Sequence, residues 1–182
     1  MREIAVITVG RSDYGIYRPI LKQIENDPEL RLNVIVAGMH LSDRFGKTVD
    51  IIEQEGFPVE DRVELPLESD TPQSIARSIG IGTIGFGQIF AKRQPDLLLM
   101  LGDRVEMLAA ATAALPFNIP IAHIHGGEIT EGAIDDAVRH SITKMAHLHF
   151  GSTEDHCRRI RQMGEEKWRI NMSGAPGLDN LI

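Results

Sequence analysis

Cysteine is nearly absent, since Cys157 is the only one in 182 residues. That excludes an internal disulfide and any cysteine-based zinc site, and makes a reducing, cytoplasmic setting the default expectation. Positive charge is also scarce, with 19 Lys and Arg against 26 Asp and Glu and a net charge of −7. Neither a nucleic acid nor an anionic membrane surface is then the expected main partner. A small anion fits only where local cations or helix ends serve it. Long uninterrupted apolar runs are missing as well. Ile4 to Val9 stops at Gly10-Arg11, too short for a secretory peptide. Met107 to Gly127 carries no Asp, Glu, Lys or Arg, but Pro116, Asn118, Pro120, His123 and His125 break it into helix, turn and buried strand. A soluble chain with no membrane partner is expected. What is present, 42% hydrophobic residues, is enough for a real core in one domain.

The apolar pattern alternates between two periods. Continuous β-branched or leucine-rich runs at Ile4–Val9, Leu32–Ala37, Val59–Leu65, Leu97–Leu101, Ile119–Ile124 and Leu148–Phe150 read as strands covered on both faces. Helical spacing occupies the intervals: Tyr14–Asn26, Arg44–Glu55, a long stretch opened by Thr71-Pro72, Asp103–Leu115, Asp136–Ala146 and Glu154–Met163. Strands alternating with helices predict an α/β fold, a doubly wound, Rossmann-like parallel sheet.

One motif is a decoy. Gly80-Ile81-Gly82-Thr83-Ile84-Gly85 fits the dinucleotide pattern, but that mechanism needs the glycines between a strand and a helix start. Here they fall inside a helical pattern already under way. Close backbone packing or local mobility is the expectation instead, and no nicotinamide or flavin cofactor.

In such a sheet, ligands bind beyond the carboxyl ends of the strands. The segments in that position are Gly10-Arg11-Ser12-Asp13-Tyr14-Gly15, Gly38-Met39-His40, Gly102-Asp103-Arg104, and His125-Gly126-Gly127-Glu128 leading to Asp135-Asp136. Cations, carboxylates and imidazoles would share one edge. Each has a plainer explanation. Asp103 and Asp135 or Asp136 suit helix N-caps, and Asp135 and Arg139 suit a surface pair at i,i+4 spacing, as do Asp136 and His140. Arg11 opposes the dipole of the helix it starts unless an anion offsets it. His123-Ile124-His125 on a strand would put two rings on one face, as a metal site or as a buried polar network. Gly126-Gly127 would let backbone approach a ligand, with Glu128 held immediately after.

Taken in order, these segments, with Arg139-His140-Ser141-Ile142-Thr143-Lys144 and Ser173-Gly174-Ala175-Pro176, resemble the sialic-acid branch of the hydrolysing UDP-N-acetylglucosamine 2-epimerases over essentially the whole chain. The resemblance implies the amino-terminal half of a GT-B-type enzyme of two Rossmann-like domains. Residues 1–182 would form one domain, with 173–182 starting the crossover to a second domain that is absent. It also implies elimination of UDP from a UDP-N-acetylhexosamine and addition of water to give a free sugar inverted at C2. No cofactor and no metal are needed, and a homodimer is suggested.

Carried over by position, the resemblance makes Asp103, Glu128 and Asp135 the acid/base candidates. Arg11, His40, His123, His125, Asp136 and Arg139 would bind the nucleotide-sugar. A carboxylate stands at the His125 position in other branches, which shifts the expected role onto Glu128. Family chains are about twice this long, so half a site, weak binding and little turnover are expected of this one. The rival readings are a non-catalytic sugar-nucleotide-binding module and a histidine–carboxylate metal hydrolase.

Overall fold

A computed structural model describes residues 1–65, 69–131 and 134–181, the side chains of Asn180 and Leu181 excepted. Ile182, the last residue of the expected crossover segment, lies outside the described residues. The chain order is β1 (Arg2–Thr8), α1 (Arg11–Asn26), β2 (Leu30–Ala37), α2 (Val49–Gln54), β3 (Val59–Val63), α3 (Pro72–Lys92), β4 (Leu97–Leu101), α4 (Val105–Ala114), β5 (Ile121–Ile124), α5 (Asp135–Met145), β6 (Leu148–Gly151), α6 (Glu154–Gln162) and β7 (Ile170–Met172). All strand pairs are parallel, in the order β3-β2-β1-β4-β5-β6-β7. The order reverses between β1 and β4, which opens the crevice expected of a doubly wound sheet.

Strand alternation splits the core in two. Ala5, Ile7, Ile35, Leu98 and Met100 face a layer built by Phe86, Phe90, Met107, Val138 and Ile142 of α3, α4 and α5. Ile4, Val6, Val34, Val36 and Leu99 face Tyr14, Tyr17, Leu21 and Ile52 of α1 and α2. Successive residues of one strand are thus buried on opposite sides, which is why these strands read as unbroken apolar runs.

Three local readings change. The helix expected over Arg44–Glu55 is a 3₁₀ turn at Asp43–Phe45 and a short α2, because Gly46 and Lys47 adopt φ of +80° and +42° and end helical propagation. Asp103 is not an N-cap: α4 begins one residue later, with Arg104 in the cap position and no side-chain cap bond. β7, a three-residue edge strand, carries too little apolar pattern to be read from sequence.

The glycine motif lies inside α3, whose N-cap Thr71 accepts a bond from Ser74 N at 3.3 Å. Gly82 is where backbones meet. A Cβ there would fall 3.0 Å from Ala109 Cβ of α4 and 2.4 Å from Leu65 Cδ2. The alanine-rich α4, buried at Ala109, Ala110, Ala111, Ala113 and Ala114, is the complementary smooth surface. No described helix is long and apolar enough to cross a membrane.

Candidate functional site

The polar residues gather at the carboxyl edge, in two groups. The first follows β1 and β2. Asp13 on α1 is buried and accepts from the Thr8 hydroxyl and from Val9 N, both at 2.8 Å. Its other oxygen has no partner among the described residues. Burial raises its pKa, against the hydrogen bonds from Val9 and Thr8. His40, fully buried, lies 2.9 Å from Thr8 Oγ1 and 2.6 Å from Thr48 Oγ1. Burial and the charge of Arg104 push it down to about 4, so the ring is neutral.

The second group follows β4, β5 and β6 and centres on Arg139, whose side chain is 8% exposed. Its guanidinium pairs with Asp103, bonds the His125 carbonyl at 2.9 Å, and reaches Glu128 Oε2 and Thr130 Oγ1, each at 3.2 Å. The expected Asp135–Arg139 surface pair is replaced by these buried contacts. Fixed fork geometry lets one arginine serve acceptors from two loops. Glu128 is engaged on both oxygens. Oε1 accepts from His125 Nδ1 at 2.5 Å and from the Ser152 hydroxyl at 2.6 Å. Burial would raise this carboxylate, but those two bonds and the charge of Arg139 outweigh it and hold the pKa at about 2.

The backbone after β5 makes this possible. β5 ends at Ile124, and His125 turns into the left-handed region at φ +62°, so it does not continue the strand alternation of His123. His123 is fully buried and bonds the Gly102 carbonyl at 2.7 Å through Nε2. Burial first, opposed by that bond, lowers it to about 4. Gly127, at φ +72°, passes so close to α6 that a Cβ would lie 2.4 Å from the His156 carbonyl oxygen. Only glycine fits there. Among the described residues no group of three or more His, Cys, Asp or Glu is arranged to hold a metal ion.

A cleft of about 750 Å³ opens where the loops after β2 and β4 meet the start of α5, lined by Met39, Arg44, Arg104, Glu106, Ile134 and Asp135 among others. That volume suits a ligand of nucleotide or sugar size. Glu106, 1% exposed, holds Arg104 through Nη2 at 2.9 Å and Nε at 3.3 Å. Its carboxylate packs against Gly38, whose φ of +57° and missing Cβ admit it. Asp136 sits apart, accepting from Thr130 N at 3.4 Å with His140 Nε2 at 3.6 Å. Arg11 is exposed as the first residue of α1.

The structure thus brings Asp103, His125, Glu128 and Arg139 into one network and places Asp135 on the adjoining cleft. Sequence reasoning placed Arg104 at this edge without giving it a role, and passed over Glu106, Ser152 and His156. Ser152 directly follows β6, so the rule that pointed to the other edge loops would have found it. Glu106 gave no such signal, because its burial against Gly38 depends on how two loops pack.

A Rossmann-like α/β domain with a cation–carboxylate network beyond its central strands is the class these features define. The chain belongs to the UDP-N-acetylglucosamine 2-epimerase family, whose family model matches residues 22–182. It is 41% identical along its whole length to a hydrolysing UDP-N,N'-diacetylbacillosamine 2-epimerase of Legionella pneumophila, covering 48% of that protein. Over 96% of the chain it is 40% identical to a hydrolysing GDP/UDP-N,N'-diacetylbacillosamine 2-epimerase of Campylobacter jejuni, covering 45% of it. A UDP-GlcNAc 2-epimerase from Neisseria meningitidis, solved bound to UDP-GlcNAc, shares the fold with a TM-score of 0.84 at 17% identity, over 98% of this chain and 48% of that one. The chain spans about half the length of the curated relatives it matches.

Proposed function

We propose that this chain supplies the amino-terminal half of the active site of a hydrolysing 2-epimerase acting on a UDP-N-acetylhexosamine, either UDP-GlcNAc or a diacetamido relative. The observation that carries the reading is the Asp103–Arg139–Glu128 network beside the cleft lined by Arg104 and Asp135. The names of the 41% and 40% identical relatives favour the hydrolysing type and the diacetamido sugar.

The chemistry is a proton-coupled elimination followed by hydration. The proton leaves C2, its electron pair forms the C1–C2 double bond, and the C1–O bond breaks to release UDP. Water then adds its oxygen at C1 while a proton reaches C2 on the opposite face, which inverts that centre. Carbon oxidation states balance across the two steps, so the reaction calls for no redox cofactor. Arg104, and Arg44 stacked 5.6 Å over Phe45, place cations on the cleft where a diphosphate would need them. The second domain would complete the nucleotide contacts and exclude water.

The test is incubation with UDP-GlcNAc, and separately with the UDP-diacetamido sugar, in heavy water. The complete protein should release UDP and leave deuterium at C2 of the freed sugar. Residues 1–182 alone should show little turnover. Binding without C2 exchange by the complete protein would make this a non-catalytic module. Chelator-sensitive hydrolysis without exchange would make it a metal hydrolase.

A further inference from the structure

At neutral pH the Glu128 carboxylate is ionised and therefore only accepts hydrogen bonds. Its contact with His125 fixes the tautomer of that ring. In the neutral ring the proton then sits on Nδ1, 2.5 Å from Glu128 Oε1, and Nε2 keeps its lone pair. Nε2 has no partner among the described residues, and the His125 side chain keeps 15% of its surface exposed at the carboxyl edge. The remaining imidazoles there differ. His40 and His123 are sealed, with both nitrogens of each engaged. His156 turns its Nδ1 to Ser152, whose own proton goes to Glu128.

Glu128, by contrast, is poorly placed to move a proton. Three donors occupy it: His125, Ser152 and Arg139. An acceptor satisfied this fully gains little from a further proton. His125 is also held at φ +62°, a conformation uncommon for any residue with a Cβ, and such outliers cluster where geometry serves function.

We infer that His125 is the catalytic base that takes the C2 proton, and that Glu128 is the positioning residue that orients it. This rests on the 2-epimerase reading above. In the elimination, the Nε2 lone pair takes the proton from C2. The C–H electrons become the C1–C2 double bond, and the C1–O pair departs on the β-phosphate oxygen of UDP. The new imidazolium pairs with Glu128, and Arg139 keeps that carboxylate aimed. Hydration follows, with the water oxygen bonding C1, its proton lost to solvent, and a solvent-derived proton arriving on the far face of C2. The imidazolium proton then leaves to solvent, which balances the extra negative charge on the released UDP.

The left-handed backbone makes a clean test available, because glycine is comfortable at φ +62°. In the complete protein, His125→Gly should lower kcat about a thousandfold with KM changed less than threefold. Added imidazole should restore at least tenfold of the lost rate, as a diffusible base filling the vacated space. The same imidazole should not rescue Glu128→Ala. Thermal melting and UDP binding by His125→Gly show whether the variant is folded, and His125→Gln gives the same loss in a side chain of similar size. Turnover above a tenth of wild type in a folded His125 variant overturns the assignment, as does a loss that imidazole leaves untouched. Absence of C2 exchange in the wild-type protein removes the 2-epimerase reading itself, and this inference with it.

Discussion

Arg139 of α5 and Asp103 of the β4–α4 loop form an ion pair whose cation also serves Glu128, the His125 carbonyl and Thr130. Two carboxylates at one sheet edge would repel each other, and the guanidinium makes their proximity favourable. Removing it leaves Asp103 and Glu128 partly buried without a counter-charge. Arg139→Ala should therefore lower stability by about 3 kcal/mol in urea titration. Arg139→Lys should recover less than half of that, because three ammonium donors cannot meet four acceptors held by a planar fork.

Acid stability should fall in two stages. His40 and His123 have folded pKa values of about 4 against an unfolded 6.5, chiefly through burial. Between pH 6.5 and 4 the unfolded chain binds more protons, so their contribution is complete above 6.5 and declines as pH drops through that window. Glu128 is depressed from 4.5 to about 2, so its contribution is present above 4.5 and lost as pH falls towards 2. Urea midpoints measured at a series of pH values should show both declines. The double variant His40→Gln, His123→Gln should flatten the upper one and leave the lower.

Two glycines of the decoy motif should respond in opposite directions. Gly82→Ala pushes a methyl to 3.0 Å from Ala109 Cβ and 2.4 Å from Leu65 Cδ2, and should cost about 1–3 kcal/mol. Gly80 has nothing within 4 Å of a built Cβ and lies in the helix interior. Gly80→Ala should stabilise by about 1 kcal/mol, through helix propensity alone. Thermal denaturation of the two variants side by side checks the sign.

Gly127→Ala should be more damaging than either. The new methyl meets a backbone oxygen of α6 at 2.4 Å, and the residue would be held at φ +72°. The loop must move, carrying Glu128 away from His125. Loss of turnover by at least about tenfold, together with a lowered melting temperature, is the expected result in the complete protein.

Much of this organisation was legible in the chain. The runs at Ile4–Val9 and Leu97–Leu101 announce doubly covered strands because both faces of a parallel sheet need apolar side chains, and Thr71-Pro72 announces the start of α3. Rejecting the glycine motif as a cofactor site followed from its place inside that helix, where Gly82 packs on α4. The break at Gly46-Lys47 was not legible, since a left-handed lysine has no compositional mark. Asp103 misled for a related reason. Aspartate before a helix is a good cap on local grounds, and only the long-range arrival of Arg139 gives it a different partner.

The sequence by itself determined the doubly wound fold, the family and the edge of the sheet where chemistry collects. Those depend on short-range periodicity and on which residues follow each strand. Tertiary structure alone decided the pairings: Arg139 with Asp103 rather than Asp135, Glu106 behind Arg104, and Ser152 and His125 on one oxygen of Glu128. Hydrogen bonds and ion pairs act over a few ångströms between residues far apart in the chain. Which groups come within that range is fixed only when the strands take their order and the loops between them pack.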